Sequence, residues 1–395
     1  MPTDVLAPAS PTRIAWWRNE RVLRVLAQTV FLLALVALAA ALYANVQREL
    51  QARGIAGGFG FLRMEAGFPI AEGIEYTEGD PYWYAFSVGA VNTLRLALIG
   101  IVLATVLGIV AGIARLSGNW LLRTLAGGYV ETVRNVPLLV LLVFWYFAVI
   151  LQLPPVRESV TVFGSVFLSQ RGTALPWLVA GDGVGPWLAF VAAGVVAALF
   201  LIRWRRRVQE RTGARGRGLL WALGAVAGLA ALGWLVVPGR PLHVEVPDMG
   251  GFNYEGGVNL TPEFTAMIIG LSVYTGAFIA EIVRAGIQAV QQGQKEAARA
   301  LGLAPGLTLR LVVLPQALRI IIPPMISQYL NLTKNSSLAI AVGFPDLFAI
   351  SQTIFNQTGK AVEVIAMVMA SYLVMSLFTS LVLNLYNRRL RLAER

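Results

Sequence analysis

Residues 281–319 read EIVRAGIQAVQQGQKEAARALGLAPGLTLRLVVLPQALR. Gln294 to Leu301 is rich in good helix formers, and Ala297, Ala298 and Leu301 fall on one small apolar face. Gly302 is expected to stop that helix. Pro305 opens a second short helix at its first position, where a missing N–H costs nothing. Thr308 to Val313 carries apolar residues at helical spacing, and Pro315 is expected to break the run. The stretch predicts a helix, a turn that glycine permits, and a helix. Its small alanines would let a partner backbone come close, while Glu296 and Arg299 offer charges for orientation.

The surrounding sequence is strongly apolar. Of 395 residues, 57% are hydrophobic and 13% charged, against about 25% charged in an average soluble protein. No soluble core of this length buries so much apolar surface, so the chain reads as an all-α polytopic membrane protein. A span takes about 20 apolar residues. Eight segments qualify: 25–44, 91–114, 136–153, 184–202, 219–237, 264–280, 320–343 and 364–386. The seventh is interrupted by Pro323-Pro324 and by Lys334. The basic stretch from Arg13 to Arg24 precedes a full-length span, which argues against a cleavable signal peptide.

The charges orient these spans. Lys and Arg number 32 against 21 Asp and Glu, a net charge of +11. Arg13, Arg18, Arg21 and Arg24 precede span one. Arg203, Arg205, Arg206, Arg207, Arg211, Arg215 and Arg217 follow span four against Glu210 alone. Arg388, Arg389, Arg391 and Arg395 follow span eight. With eight spans these regions share one side. The opposite loops are acidic or balanced, with Glu65, Glu72, Glu75, Glu78 and Asp80 in one and Glu245, Asp248 and Glu255 in another. Both termini are expected in the cytoplasm, together with 281–319. The basic hairpin 203–217 is tied between two spans, so it reads as an orientation signal that meets anionic lipid, not as a nucleic-acid site. Trp16, Trp17, Trp83 and Tyr84 fit interfacial belts.

Several chemistries are excluded. The chain has no Cys and a single His, His243, which removes disulfides, Cys nucleophiles and Cys/His zinc sites. His243 reads as an outer-loop residue. No phosphate-binding Gly-x-x-x-x-Gly-Lys-Ser/Thr loop occurs. Any ATP and Mg must therefore be bound by another chain, and no cofactor is expected here. Gly100, Ala104, Gly108 and Gly112 on span two, and Gly224 and Gly228 on span five, put small residues on one face. Packing within the chain and dimerisation are both open there.

Glu296-Ala297-Ala298, then Gly302, then Val312-Val313-Leu314-Pro315 resembles the EAA motif of permease subunits of bacterial ABC importers, with Val312 in place of the usual Ile. Flanking residues resemble the polar-amino-acid permeases among them: Ala280-Glu281 with Arg284, Gly286 and Ile287; Gly293-Gln294; Leu314-Pro315-Gln316-Ala317; Leu332 with Lys334-Asn335-Ser336-Ser337-Leu338; and Tyr129-Val130-Glu131 with Arg134, Asn135 and Pro137-Leu138-Leu139.

The resemblance implies a type I ABC importer permease fold with five core spans, here two, three, six, seven and eight. Residues 1–86 then hold a cytoplasmic terminus, an extra span and an outer loop. Residues 87–395 form the permease domain, interrupted by an insertion at 152–262 of two outer loops and a helical hairpin. That enlarged layout resembles the larger permeases of general L-amino-acid transporters. The resemblance also implies separate ATPase subunits, a second and different permease chain, a periplasmic amino-acid-binding protein and a bacterial inner-membrane location. ATP closure of the ATPases would move 294–315 and rock the bundle between inward- and outward-facing states. Gln294, Glu296, Ala297, Ala298, Arg299, Gly302, Leu314 and Pro315 become the ATPase-coupling residues.

Polar groups inside spans mark candidate path or gate positions. Gln328, Asn331, Lys334, Asn335, Ser336 and Ser337 interrupt span seven, where unwound backbone would line a solvated passage. Alternatively, Lys334 pairs with a carboxylate or snorkels to hold helix ends. Tyr274 and Ser272 lie mid-span. Glu131, Arg134 and Asn135 sit before span three as an inner gate or an interfacial anchor. Glu281 and Arg284, three apart, form a plausible helical clasp. The rival reading, an ion-gradient-driven secondary transporter of small polar solutes, wants acids deep in the spans, and the spans are nearly free of Asp and Glu. An intramembrane enzyme lacks a nucleophile–base or metal-ligand set.

Overall fold

The computed structural model describes residues 20–52, 58–213 and 218–391. The sequence readings at Arg13, Trp16, Trp17, Arg18, Arg215, Arg217 and Arg395 lie outside the described residues. So do the side chains of Arg21, Arg206, Arg388, Arg389 and Arg391.

Helix α1 (Glu20–Ala52) exposes every side chain described in it. A strap, 58–81, then leads to α2 (Tyr82–Ala114), which starts nine residues before the expected span. Helix α3 (Trp120–Arg134) is N-capped by Asn119, whose side chain accepts from the Leu121 N–H at 2.9 Å. The chain turns by 110° between α3 and the next helical run, Leu138–Gln152. Pro137 starts that run with α4 (Leu138–Val143). A wide π turn over Phe144–Val149 and a tight turn over Ile150–Gln152 complete it.

The helical hairpin expected in the insertion is present, and the two outer loops expected around it carry short strands. Strands β1 (Val160–Val162), β2 (Val166–Ser169) and β3 (Gly172–Leu175) form an antiparallel meander. Next come β4 (Trp177–Ala180), the helical hairpin α5 (Val184–Thr212) and α6 (Gly218–Val236), and then β5 (Leu242–Glu245), which pairs with β4 and carries His243 opposite Val179. A small ribbon, β6 (Asp248–Gly250) with β7 (Asn253–Glu255), precedes β8 (Val258–Leu260). Strand β8 closes the insertion against β3, with Leu175 opposite Val258.

Helix α7 (Pro262–Gln288) is the centre of the bundle. Thr261 caps it by accepting from the Phe264 N–H at 3.1 Å, and Pro262 occupies the first turn. Fifteen of its residues are buried, so hydrophobicity on all sides marks a core helix here. Two short helices follow, α8 (Gln292–Ala300) and α9 (Pro305–Thr308), then a π turn over Leu309–Val313 and α10 (Leu314–Asn335).

Pro315 does not break this run. The wide π turn takes up a proline ring that would clash with the carbonyl of an ordinary α turn. Pro323 and Pro324 also sit inside α10 without ending it. Nor is the backbone at 331–337 unwound: α10 tightens into a 3-10 run over Ser336–Val342 that ends at Gly343, φ +81°. An element absent from the sequence reading, α11 (Leu347–Thr358), precedes α12 (Ala361–Arg391).

Among the described residues, seven helices are long and apolar enough to cross a membrane, or eight if the bent pair α3–α4 counts as one span. The small-residue face of α2 packs inside the chain. A Cβ added at Gly108 would lie 2.5 Å from Ile279 Cβ, and one at Gly112 2.7 Å from the Ala280 carbonyl. Gly224 and Gly228 meet nothing within 4 Å. The α5–α6 contact uses Gly194 against Val226 and Gly233 against Phe190 instead.

Candidate functional site

The α8–α9 segment projects as a knob closed by glycine. The Gly302 N–H reaches the Arg299 carbonyl at 2.9 Å, and the Leu303 N–H reaches the Ala298 carbonyl at 3.1 Å. With Gly302 at φ +76°, this is the paired bonding of a Schellman cap, which needs a left-handed residue at that position. Gln294, Glu296, Ala297 and Arg299 are exposed or half-buried at the surface. Ala298 is 3% exposed and turned into the chain, so it is not offered to a partner, whereas Leu301 is 81% exposed. The expected common face of Ala297, Ala298 and Leu301 therefore divides. Leu314 and Pro315 are exposed at the start of α10, while Val313 and Ala317 anchor the knob in a cluster with Val283 and Val290.

Just above the knob, Glu281 of α7 accepts hydrogen bonds from Arg115 at the end of α2 and from Arg284. Arg134 from the end of α3 lies 3.9 Å from the same carboxylate, and Arg115 lies 3.7 Å from Glu131. The pair foreseen within α7 is thus part of a five-charge clasp joining three helices. Arg134 also stacks over the Phe278 ring at 5.2 Å, beside Tyr274, whose ring centroid is 5.0 Å from that of Phe278. Asn135 donates from Nδ2 to the Glu131 carbonyl at 2.8 Å.

The span-seven residues are not brought to one point. Gln328 and Asn335 are half-buried or exposed on separate turns, and Asn331 and Lys334 are exposed. Lys334 makes no ion pair among the described residues. Ser336 is buried and donates to the Thr333 carbonyl at 2.9 Å; Ser337 donates to the Lys334 carbonyl at 2.9 Å. Ser272 is buried, and its Oγ finds no partner among the described residues.

At the opposite end of the bundle the strap is pinned to three helices, α2, α7 and α12. The Gly58 N–H donates to Glu363 of α12 at 2.8 Å, and the Tyr82 hydroxyl donates to Gln357 of α11 at 2.9 Å. Glu72 accepts from the Thr261 hydroxyl and N–H at the start of α7 and lies 3.7 Å from Arg95 of α2. Burial raises the Glu72 carboxyl above the usual glutamate range, outweighing the Thr261 bond and the Arg95 charge. Asn92 of α2 donates to the Glu72 carbonyl at 2.8 Å and to the Pro345 carbonyl at 2.9 Å.

Residues 253–392 match the model of the binding-protein-dependent transport system inner membrane component family. The chain is 47% identical to the putative amino-acid ABC transporter permease protein YhdX of Escherichia coli K12, covering 99% of this chain and 97% of that one. It is 47% identical to the general L-amino acid transport system permease protein AapQ of Rhizobium johnstonii, over 89% and 88% of the two chains. It is 39% identical to the glutamate/glutamine/aspartate/asparagine transport system permease protein BztB of Rhodobacter capsulatus, over 93% of each.

The chain belongs to the amino-acid ABC transporter permeases. As such, the permease is a multi-pass membrane subunit that works with ATPase subunits and a binding protein. Three groups in the permease escaped the sequence reading. Leu301 is expected only as one of three residues on a small apolar face, although an isolated leucine before a helix-ending glycine is a signal for an exposed cap contact. Arg115 carries no sequence link to Glu281, from which it is far along the chain. Asp346 has no expected role because no helix is expected directly after it. Its position after Gly343-Phe344-Pro345 and before an apolar run is nonetheless an N-cap signal.

Proposed function

We propose that this chain is the path-forming permease of an ATP-driven importer of L-amino acids of varied side chain, with the fold of a type I importer. The observation that carries the coupling half is the exposed, glycine-capped α8–α9 knob. In this reading Gln294, Glu296, Ala297, Arg299, Leu301, Gly302, Leu314 and Pro315 present it to an ATPase subunit, while the buried Ala298, Val313 and Ala317 hold it to the chain. Helices α2, α4, α7, α10 and α12 are the core spans; α1 and the α5–α6 hairpin are additions. ATP and Mg belong to the ATPase chains, and this chain carries out no chemistry of its own. The basic segments support a cytoplasmic side for both termini and the knob, in a cell with an inner membrane.

Breadth of substrate is supported by how the similarity is distributed. AapQ and BztB align along nearly their whole length, insertion included, whereas a probable glutamine permease of Bacillus subtilis matches 32% of this chain. A second, different permease chain completes the pair. Tyr274, Phe278, Arg134 and Asn135 line the inner mouth of the path, Gln328, Asn331, Lys334, Asn335 and Ser337 line the rest of it, and the buried Ser336 backs its outer end.

The test is Glu296→Lys, alone and with Gly302→Pro, in the complete transporter. Expected is loss of ATPase co-purification and of amino-acid uptake, with membrane insertion retained. A correctly inserted double variant that binds the ATPase and transports like the wild type would refute the assignment.

A further inference from the structure

Asp346 is fully buried, at the end of the bundle away from the knob. A buried carboxylate is costly unless its oxygens are hydrogen-bonded. Its Oδ1 accepts from the Ala349 N–H at 2.8 Å and caps α11. Its Oδ2 accepts from the Tyr372 hydroxyl of α12 at 3.1 Å. The same phenol oxygen lies 3.4 Å from Ser336 Oγ, at the point where α10 changes to a 3-10 helix. From α2, Thr93 accepts from the Leu347 N–H at 3.0 Å, and Asn92 holds the Pro345 carbonyl. One carboxylate thus stands at the junction of four helices.

We propose that Asp346 is a positioning residue for transport, whose ionised carboxylate fixes the end of α10 against α11 and α12 and so holds the outer closure of the path. The proposal rests on the import reading above. The ionised form matters because both groups bonded to it donate. A carboxylate accepts on both oxygens, whereas the neutral acid must donate from one of them. Protonation therefore turns one of these bonds around: the neutral acid donates toward the Tyr372 oxygen instead of accepting from it, while its other oxygen still accepts from the Ala349 N–H. Burial holds its pKa up, at about 6, against the opposing effect of its hydrogen bonds.

From α12 the titratable group facing it is Tyr372. From α2, the end of α10 and the start of α11 come the neutral Asn92, Thr93, Ser336 and backbone N–H groups. Beyond Asn92, the strap carries Glu72, paired with Arg95. A cleft of about 240 Å³ between the strap and α11, lined in part by Ile70, Gly343, Pro345 and Ala349, lies beside this junction.

The experiment uses the complete transporter in proteoliposomes. ATP and pH are fixed on the ATPase side, and the pH on the binding-protein side is varied from about 5 to about 8. Labelled L-glutamate, L-glutamine and L-leucine serve as probes. Wild-type uptake is expected to fall several-fold as the outer pH drops through about 6. Asp346→Asn, assembled to the wild-type level, should show low uptake without that step. Tyr372→Phe should move the step to higher pH, because the carboxylate loses a donor. An Asp346→Asn transporter that keeps the wild-type step, or an Asp346→Ala transporter with wild-type uptake, overturns the proposal while leaving the import reading intact. A wild-type transporter that assembles and takes up none of the probes overturns both.

Discussion

Arg115, which ends α2, donates a hydrogen bond to Glu281 of α7 across 166 positions of sequence. The Arg115 side chain is 14% exposed, so its charge depends on that carboxylate for solvation. Glu281→Ala would leave it without its main acceptor and release Arg284 and Arg134 as well. The expected cost is about 2 kcal/mol, read as a lower unfolding temperature of the purified transporter. Removing Arg115 too should recover part of the loss, because no buried cation is then stranded. Costs that simply add in the double variant would contradict the clasp.

The α2–α7 seam leaves no room for growth at Gly108. A valine there would drive its Cβ into Ile279 and the Gly276 carbonyl, at an expected cost of about 3 kcal/mol. Gly224→Ala, on the open face of α6, should instead be neutral or stabilising by about 0.5–1 kcal/mol. Thermal unfolding of both variants in detergent checks the contrast. Equal effects would mean that the seam is packed differently.

Leu301 is too exposed to support the fold, so Leu301→Asp should leave insertion and thermal stability within about 0.5 kcal/mol of wild type. Loss of ATPase co-purification in the same variant is the expected outcome. Unchanged co-purification would remove Leu301 from the coupling surface.

The sign of the Asp346 effect on stability is fixed by its direction of shift. Its folded pKa, about 6, lies above the ordinary value of 3.8, so protonation favours the folded state. The contribution is present in full below the ordinary value and is lost as the pH rises through about 6, amounting to about 3 kcal/mol. Asp346→Asn should flatten this part of the stability–pH curve. A variant curve parallel to the wild type between those limits would show that another group is responsible.

Local chemistry made the knob readable. Gly302 and Pro305 punctuate a short stretch, and their backbone demands do not depend on the rest of the chain. The apolar spans were equally plain, since length and hydrophobicity suffice to find them. Pro315 misled because a π turn, which leaves no pattern in the sequence, absorbs its ring. The strands of the insertion are three or four residues long, too short for alternation to show. The Asp346 junction was out of reach for a different reason. Thr93, Ser336, Asp346 and Tyr372 come from four separate elements, and only tertiary packing brings them together.

The pairing of β3 with β8 carries a topological consequence. The described chain between Leu175 and Val258 leaves the bundle and returns to it at neighbouring backbone positions, and carries two helices long and apolar enough to cross a membrane. An excursion of even parity does not invert the helices after it. Helices α7 to α12 thus keep the sidedness they would have without it, and a hairpin hung on a single seam can be gained or lost without turning the transporter inside out.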